Sequence, residues 1–151
     1  MSTPTIYSTQ IRVRYSETDQ MGVVYHANYL NWFEVGRTEF FRQAGFRYRD
    51  LEKKGILLPV AEANVSFKQP ALYDDLVDIR TWIADITPVR LTYAYEVYRV
   101  ADEQLLVFGR TMHVFTNAAL KPIRLSRLEP EIYAWLEAQS STQNRHDEGS
   151  E

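Results

Sequence analysis

The chain has no cysteine. A disulfide framework, a thiolate nucleophile and a cysteine-ligated metal are excluded with it. Histidine is scarce: His26, His113 and His146 are the only three, and no two stand at a metal-ligand spacing. Glycine and proline number six each. The glycines form no phosphate-cradling loop, and no Gly-x-Ser-x-Gly elbow occurs. No run approaches the ~18 consecutive apolar residues of a membrane span. Basic excess is missing too: 17 Lys and Arg face 20 Asp and Glu, a formal net charge of −3. That argues against a nucleic-acid platform, although tyrosines in 93–98 offer stacking surfaces. The first residues show neither the basic start nor the apolar stretch of a signal peptide, so a cytoplasmic protein is expected. What is present is 151 residues, 45% hydrophobic and 25% charged. Those values fit one soluble domain with a core large enough to fold without staples.

Periodicity orders the elements. Ile11, Val13 and Tyr15 alternate with Arg12 and Arg14, a half-buried strand within 5–15. From Asn28 to Ala44 the spacing is helical, with Leu30, Phe33, Phe41 and Ala44 near one face and Tyr29, Trp32 and Phe40 widening it. Asn28 suits an N-cap and Gly45 a C′ position. Gly36, mid-helix, costs ~1 kcal/mol against alanine; it marks either a close strand or simple tolerance. A short helical turn is expected at 48–54. Strands follow at 56–67, 76–86, 90–100 and 105–116, broken by Pro70, Pro88 and the turn residues Tyr73-Asp74-Asp75 and Ala101–Gln104. A closing helix is expected near 129–138, and a disordered polar tail over 140–151. The order predicts a single α+β domain over 1–139, with an antiparallel sheet in hairpin succession curled round the long helix. Strands apolar on both faces, such as Leu91–Val97, support an oligomer.

The chemistry concentrates in Tyr15-Ser-Glu-Thr-Asp-Gln-Met-Gly-Val-Val-Tyr-His-Ala-Asn-Tyr29. Asp19 falls in a polar turn. Gly22 then lets the chain turn tightly, an apolar step reaches Tyr25 and His26, and the helix starts. A carboxylate and free helix-start amides are thereby aimed at one small volume. A carboxylate can drive hydrolysis, and such amides can hold an oxyanion. An aspartate in a turn is also a common structural device.

The pattern Asp19-x-x-Gly22-x-Val-Tyr25-His26-x-Asn28-Tyr29, with Trp32-Phe33-Glu34 and Arg37-Thr38-Glu39, resembles the hotdog-fold acyl-CoA thioesterases. Within them it resembles the 4-hydroxybenzoyl-CoA thioesterase and YbgC-type branch. The likeness continues through Asn64-Val-Ser66-Phe67, Pro70 and Tyr73-Asp74-Asp75 to Phe115. It implies a five-stranded antiparallel sheet wrapped round the Asn28–Ala44 helix, and a homodimer with a continuous ten-stranded sheet, often doubled to a homotetramer. It also implies sites at subunit interfaces, completed by strand Val60–Phe67 of the neighbouring chain with Ser66.

By the same resemblance Asp19 is the catalytic acid group, as nucleophile forming a mixed anhydride or as base toward water. The Tyr25 and His26 amides, chiefly the latter, are the oxyanion donors. The His26 imidazole either orients a reactant or is a polar surface group. Gly22 and Glu34 join the substrate-binding set, and Glu34 is expected to pair with Arg37 at i+3. Arg90 is placed near the CoA phosphates or is a plain surface arginine; Lys68 and Lys121 are weaker candidates. No cofactor or metal is implied, because CoA enters as part of the substrate. The open alternatives are another hotdog activity (acyl carrier protein thioester hydrolysis or acyl dehydration) and a non-catalytic acyl-binding protein.

Overall fold

In the computed structural model, residues 4–45 and 48–140 are described. Strict alternation creates the central strand β3 (Leu76–Ile86). Val77, Ile79, Thr81 and Ile83 are wholly buried on one face, while Asp78, Arg80 and Trp82 lie half-buried on the other. Strands β1 (Tyr7–Arg12), β2 (Val60–Phe67), β4 (Arg90–Arg99) and β5 (Gln104–Val114) join it in one antiparallel five-stranded sheet, ordered β1-β3-β4-β5-β2. Helices α1 (Asn28–Gln43), α2 (Tyr48–Lys53), α3 (Leu125–Leu128) and α4 (Pro130–Ser140) complete the chain.

Helix α1 lies in the concave face of the sheet. Tyr29, Trp32, Phe33, Phe40 and Phe41 are buried there. Phe33 stacks on Tyr95 of β4 at 4.2 Å between ring centroids. Each such ring withdrawn from water stabilises the fold by about 1.5–3 kcal/mol. Two glycines permit the contact. A Cβ on Gly36 would lie 2.9 Å from Ile79 Cγ2 and closer still to Thr81 Oγ1. One on Gly109 of β5, opposite Tyr95, would lie 2.9 Å from Phe33 Cε2. Gly36 therefore marks a close strand, and side chains of that strand make the approach. Helix α4 extends this layer, with Trp135 against Phe41 and Phe40 and Leu136 buried.

Several expectations are corrected. Tyr15 is 76% exposed in a 3-10 turn spanning Tyr15–Glu17, because the strand ends at Arg12 and the chain turns once Val13 is buried. Leu30 is 41% exposed on the side of α1 turned from the sheet. Asn28 is no N-cap: Ala27 holds that place without a side-chain bond, and the Asn28 side-chain Nδ2 instead donates to Glu17 O at 2.9 Å. Hairpin succession holds for β3, β4 and β5 only. Strand β2 crosses to the far edge beside β5, and β1 takes the other edge beside β3. Nor does β2 bury its alternating side: seven of its eight residues are exposed, Phe67 at 55%. The expected tail from 140 lies outside the described residues beyond Ser140, which is itself buried at the end of α4.

Candidate active site

The motif 15–29 folds as a small hairpin leading into α1. Thr18 and Val24 bridge, the Asp19 amide donates to Val23 O at 2.8 Å, and the Gly22 amide donates to Asp19 O at 3.0 Å. Gly22 has φ +82°, which closes this turn and is strained for any residue with a Cβ. The Met21 amide donates to Asp19 Oδ1 at 2.8 Å. Asp19 is half-buried, and among the described residues it forms no ion pair. One carboxylate oxygen is thus tethered locally, and the other meets no protein donor among the described residues.

Backbone bookkeeping at the helix start separates the candidate oxyanion donors. The Tyr25 amide donates to Glu17 O at 2.9 Å, so it is engaged. The Asn28 amide donates to Tyr25 O at 2.9 Å. The amides of His26 and Ala27 have no acceptor among the described residues. They are the unpaired N–H groups that a helix start leaves over, at the positive end of its dipole. The imidazole of His26 is exposed and lies 4.4 Å from the Tyr25 ring.

Beside them opens a mainly apolar cavity of about 230 Å³. Val23, Val24, His26 and Tyr29 form one wall, and Phe67 to Pro70, the exit from β2, form the other. The walls are tied together. The Ala71 amide donates to the buried Tyr29 hydroxyl at 3.1 Å, and the Val24 amide donates to Ala71 O at 2.9 Å. Burial pushes the Tyr29 phenol above its ordinary range, so it stays a neutral acceptor. Arg99 clamps the loop behind by donating to Asp75 at 3.0 Å, Asp102 at 2.9 Å and Pro70 O at 2.9 Å.

Glu17 is the residue that sequence reasoning missed. Its carboxylate, 9% exposed, accepts the Trp32 indole N–H at 3.0 Å and the Arg14 amide at 2.8 Å. Its carbonyl takes the Tyr25 amide and the Asn28 side chain. It therefore fixes the loop that carries Asp19. An acid two residues before Asp19 and a tryptophan on the helix were both visible, but nothing local says that they meet.

The remaining predicted residues scatter. Glu34 is exposed on α1 and lines two other cavities along that helix, one of them shared with Arg37. Ser66 is exposed on β2, opposite Phe108 of β5. Arg90 is exposed at the start of β4, at the opposite end from Arg99, about 30 Å along an extended strand. One chain therefore does not bring Arg90 to Asp19. Lys68 stands on the cavity wall, its ammonium 5.6 Å from the Phe108 ring, while Lys121 sits in a turn after β5. No group of His, Asp and Glu among the described residues could hold a metal, and no helix among them is long and apolar enough to cross a membrane.

A five-stranded antiparallel sheet wrapped round one long helix, with an acidic turn at that helix's start, defines a hotdog-fold protein. The chain belongs to the thioesterase-like superfamily, whose family model matches residues 13–136. It is 44% identical over 123 residues to the putative acyl-CoA thioesterase YneP of Bacillus subtilis (strain 168), covering 81% of this chain and 88% of that one. It is 32% identical over 102 residues to the acyl-CoA thioester hydrolase YbgC of Escherichia coli O6:H1, covering 68% and 75%. Among solved structures it is similar to a DHNA-CoA thioesterase from Staphylococcus aureus, with TM-score 0.84, 39% identity and coverage of 96% and 95%.

Proposed function

We propose that this thioester hydrolase acts on acyl-CoA, giving a free carboxylic acid and CoA, with Asp19 driving the attack. One observation carries the mechanism: the untethered Asp19 oxygen and the unpaired His26 and Ala27 amides belong to the same hairpin-to-helix junction, beside an apolar cavity. A thioester carbonyl is electrophilic and its thiolate leaves with little acid assistance. The protein then supplies two things, an activated nucleophile and an oxyanion cradle. Asp19 serves either as nucleophile, through a mixed anhydride, or as base toward water. The amides take the carbonyl oxygen, where one such donor is worth about 3 kcal/mol in other hydrolases. The apolar walls hold the acyl group, and Lys68 at their rim faces the CoA side.

We infer that a second copy pairs along β2. Its outer edge has no strand partner among the described residues, and its side chains are exposed on both faces. Such an edge normally acquires a cover. Pairing there builds the ten-stranded dimer and brings Ser66 and Phe67 into an interface; the assembly is proposed to be cytoplasmic, as expected from the sequence. Doubling to a tetramer would use the half-buried outer face of β3 and β4.

The test is a panel of acyl-CoA esters followed by thiol release. Free thiol appearing in step with free acid supports hydrolysis. An enoyl product without thiol would make it a dehydratase, and tight binding with no turnover would make it an acyl-binding protein.

A further inference from the structure

The wall of the apolar cavity is held from the far side of the loop between β2 and β3. Ala71, wholly buried, commits both backbone groups to the Asp19 motif. Its N–H donates to the Tyr29 hydroxyl at 3.1 Å, and its carbonyl accepts the Val24 amide at 2.9 Å. Leu72 bridges Val23, whose carbonyl accepts the Asp19 amide at 2.8 Å. Pro70, just before them, lines the cavity. Residues 70–72 and the Asp19 hairpin are thus one hydrogen-bonded unit, and a shift of one carries the other.

That unit leans on a strained turn. Asp74 has φ +71°, a left-handed conformation uncommon for a residue with a Cβ. The Asp75 carboxylate closes the turn: its Oδ2 accepts the Leu72 amide at 2.9 Å and Arg99 Nε at 3.0 Å. Arg99 directs its other two nitrogens to separate partners, Nη1 to Asp102 Oδ2 and Nη2 to Pro70 O, both at 2.9 Å. Three acceptors from two loops surround one planar fork, a geometry that a lysine ammonium does not reproduce. The Arg99 and Asp75 side chains are 16% and 19% exposed, so salt screens the pair less than a surface one. Strain of this kind persists only where the surroundings over-determine it, and it gathers at functional sites.

We propose that Arg99, acting with Asp75, is a positioning residue for thioester hydrolysis: it fixes residues 70–72, and through them the Asp19 hairpin, against the cavity that takes the acyl group. The proposal rests on acyl-CoA hydrolysis at Asp19. Arg99 acts through Pro70 and Asp75 rather than on the substrate. Its effect falls on the chemical step, because a misplacement of about 1 Å costs on the order of 100-fold in rate.

The experiment reads kcat and KM by thiol release from acetyl-, octanoyl- and benzoyl-CoA. For the ester that wild type cleaves fastest, Arg99→Ala should lose about 10–100-fold in kcat, with KM within about threefold. Millimolar ethylguanidinium should restore kcat by about tenfold, and ethylammonium at equal ionic strength should not. A merely structural arginine would not give that rescue, since guanidinium compounds otherwise weaken folding. Asp75→Asn and Tyr29→Phe reach the same loop and keep the test decisive if Arg99→Ala folds poorly. Each should lower kcat, and their double variant should lose less than the product of the two, because both act on Ala71 and its neighbours. Three results overturn the positioning role and leave hydrolysis standing. They are an unchanged kcat in Arg99→Ala, a loss without ethylguanidinium rescue, or, where that variant is unfolded, strictly multiplicative losses for Asp75→Asn and Tyr29→Phe. No thiol from any ester overturns both.

Discussion

Single residues set the chemistry through what they touch. Glu17 joins Trp32, Arg14, Tyr25 and Asn28 around the loop that presents Asp19. Glu17→Ala leaves the buried Trp32 indole without an acceptor. We expect it to destabilise the protein by about 1–3 kcal/mol, measured by urea unfolding, and to slow turnover at unchanged Asp19. The imidazole of His26 is exposed, and the proposed mechanism draws on the backbone N–H instead. His26→Ala keeps that amide and should retain turnover within about threefold, far from the loss of 100-fold or more that removing an oxyanion donor brings; a large drop would assign a role to the ring. His113 is a different case. Burial pushes its imidazole down to about 4, so the folded protein holds it neutral. In the unfolded chain it binds a proton near pH 6.5. Between those values the unfolded state binds more protons, so stability falls as pH drops from 6.5 toward 4. The stability from neutral His113 is fully present above pH 6.5 and amounts to roughly 3 kcal/mol by the usual conversion. Urea midpoints across this window should show the slope, and His113→Gln should flatten it.

At the scale of elements, the fold depends on how closely α1 approaches the sheet. Gly36→Ala gains helix propensity of ~1 kcal/mol, but its methyl meets Ile79 Cγ2 and Thr81 Oγ1 on a fully packed strand. We expect net destabilisation of about 1–3 kcal/mol; a rise in melting temperature would show that the layers have slack. Much of this layer was legible beforehand. The alternation of β3 and the apolar face of α1 are local patterns, and their boundaries hold to within a residue. The Asp19-to-Asn28 motif also pointed to the junction where the unpaired amides and the apolar cavity lie. What stayed hidden was non-local. Asn28 has the right chemistry for a cap, but a tertiary acceptor, Glu17 O, competed for its side chain. Strand β2 alternates like a half-buried strand although it lies at an edge, where no strand among the described residues covers it; the proposed partner would supply that cover. The buried hydrogen bonds that link Arg37 to Tyr95, Tyr95 to Thr111 and Thr111 to His113 join α1 to β4 and β5 and leave no trace in local spacing.

At the scale of the whole molecule, the proposed assembly accounts for what the described residues leave exposed. Among the described residues the outer β2 edge has no strand partner, Phe67 is exposed on the cavity wall, and Arg90 lies a strand length from Arg99, which clamps the loop behind that cavity. A partner across β2 answers the first two, so sedimentation equilibrium should return two or four times the 17.7 kDa chain mass; a stable monomer with full activity would refute the assembly. The central claim is that the Asp19 carboxylate drives cleavage of an acyl–sulfur bond. The most direct measurement is single-turnover thiol release by wild type and by Asp19→Asn, with acyl-CoA binding measured on both. Asparagine keeps the shape and the Met21 contact but is neither base nor effective nucleophile. The rate should fall by at least about 100-fold while binding stays within a few-fold. An unchanged rate at full occupancy would contradict the mechanism.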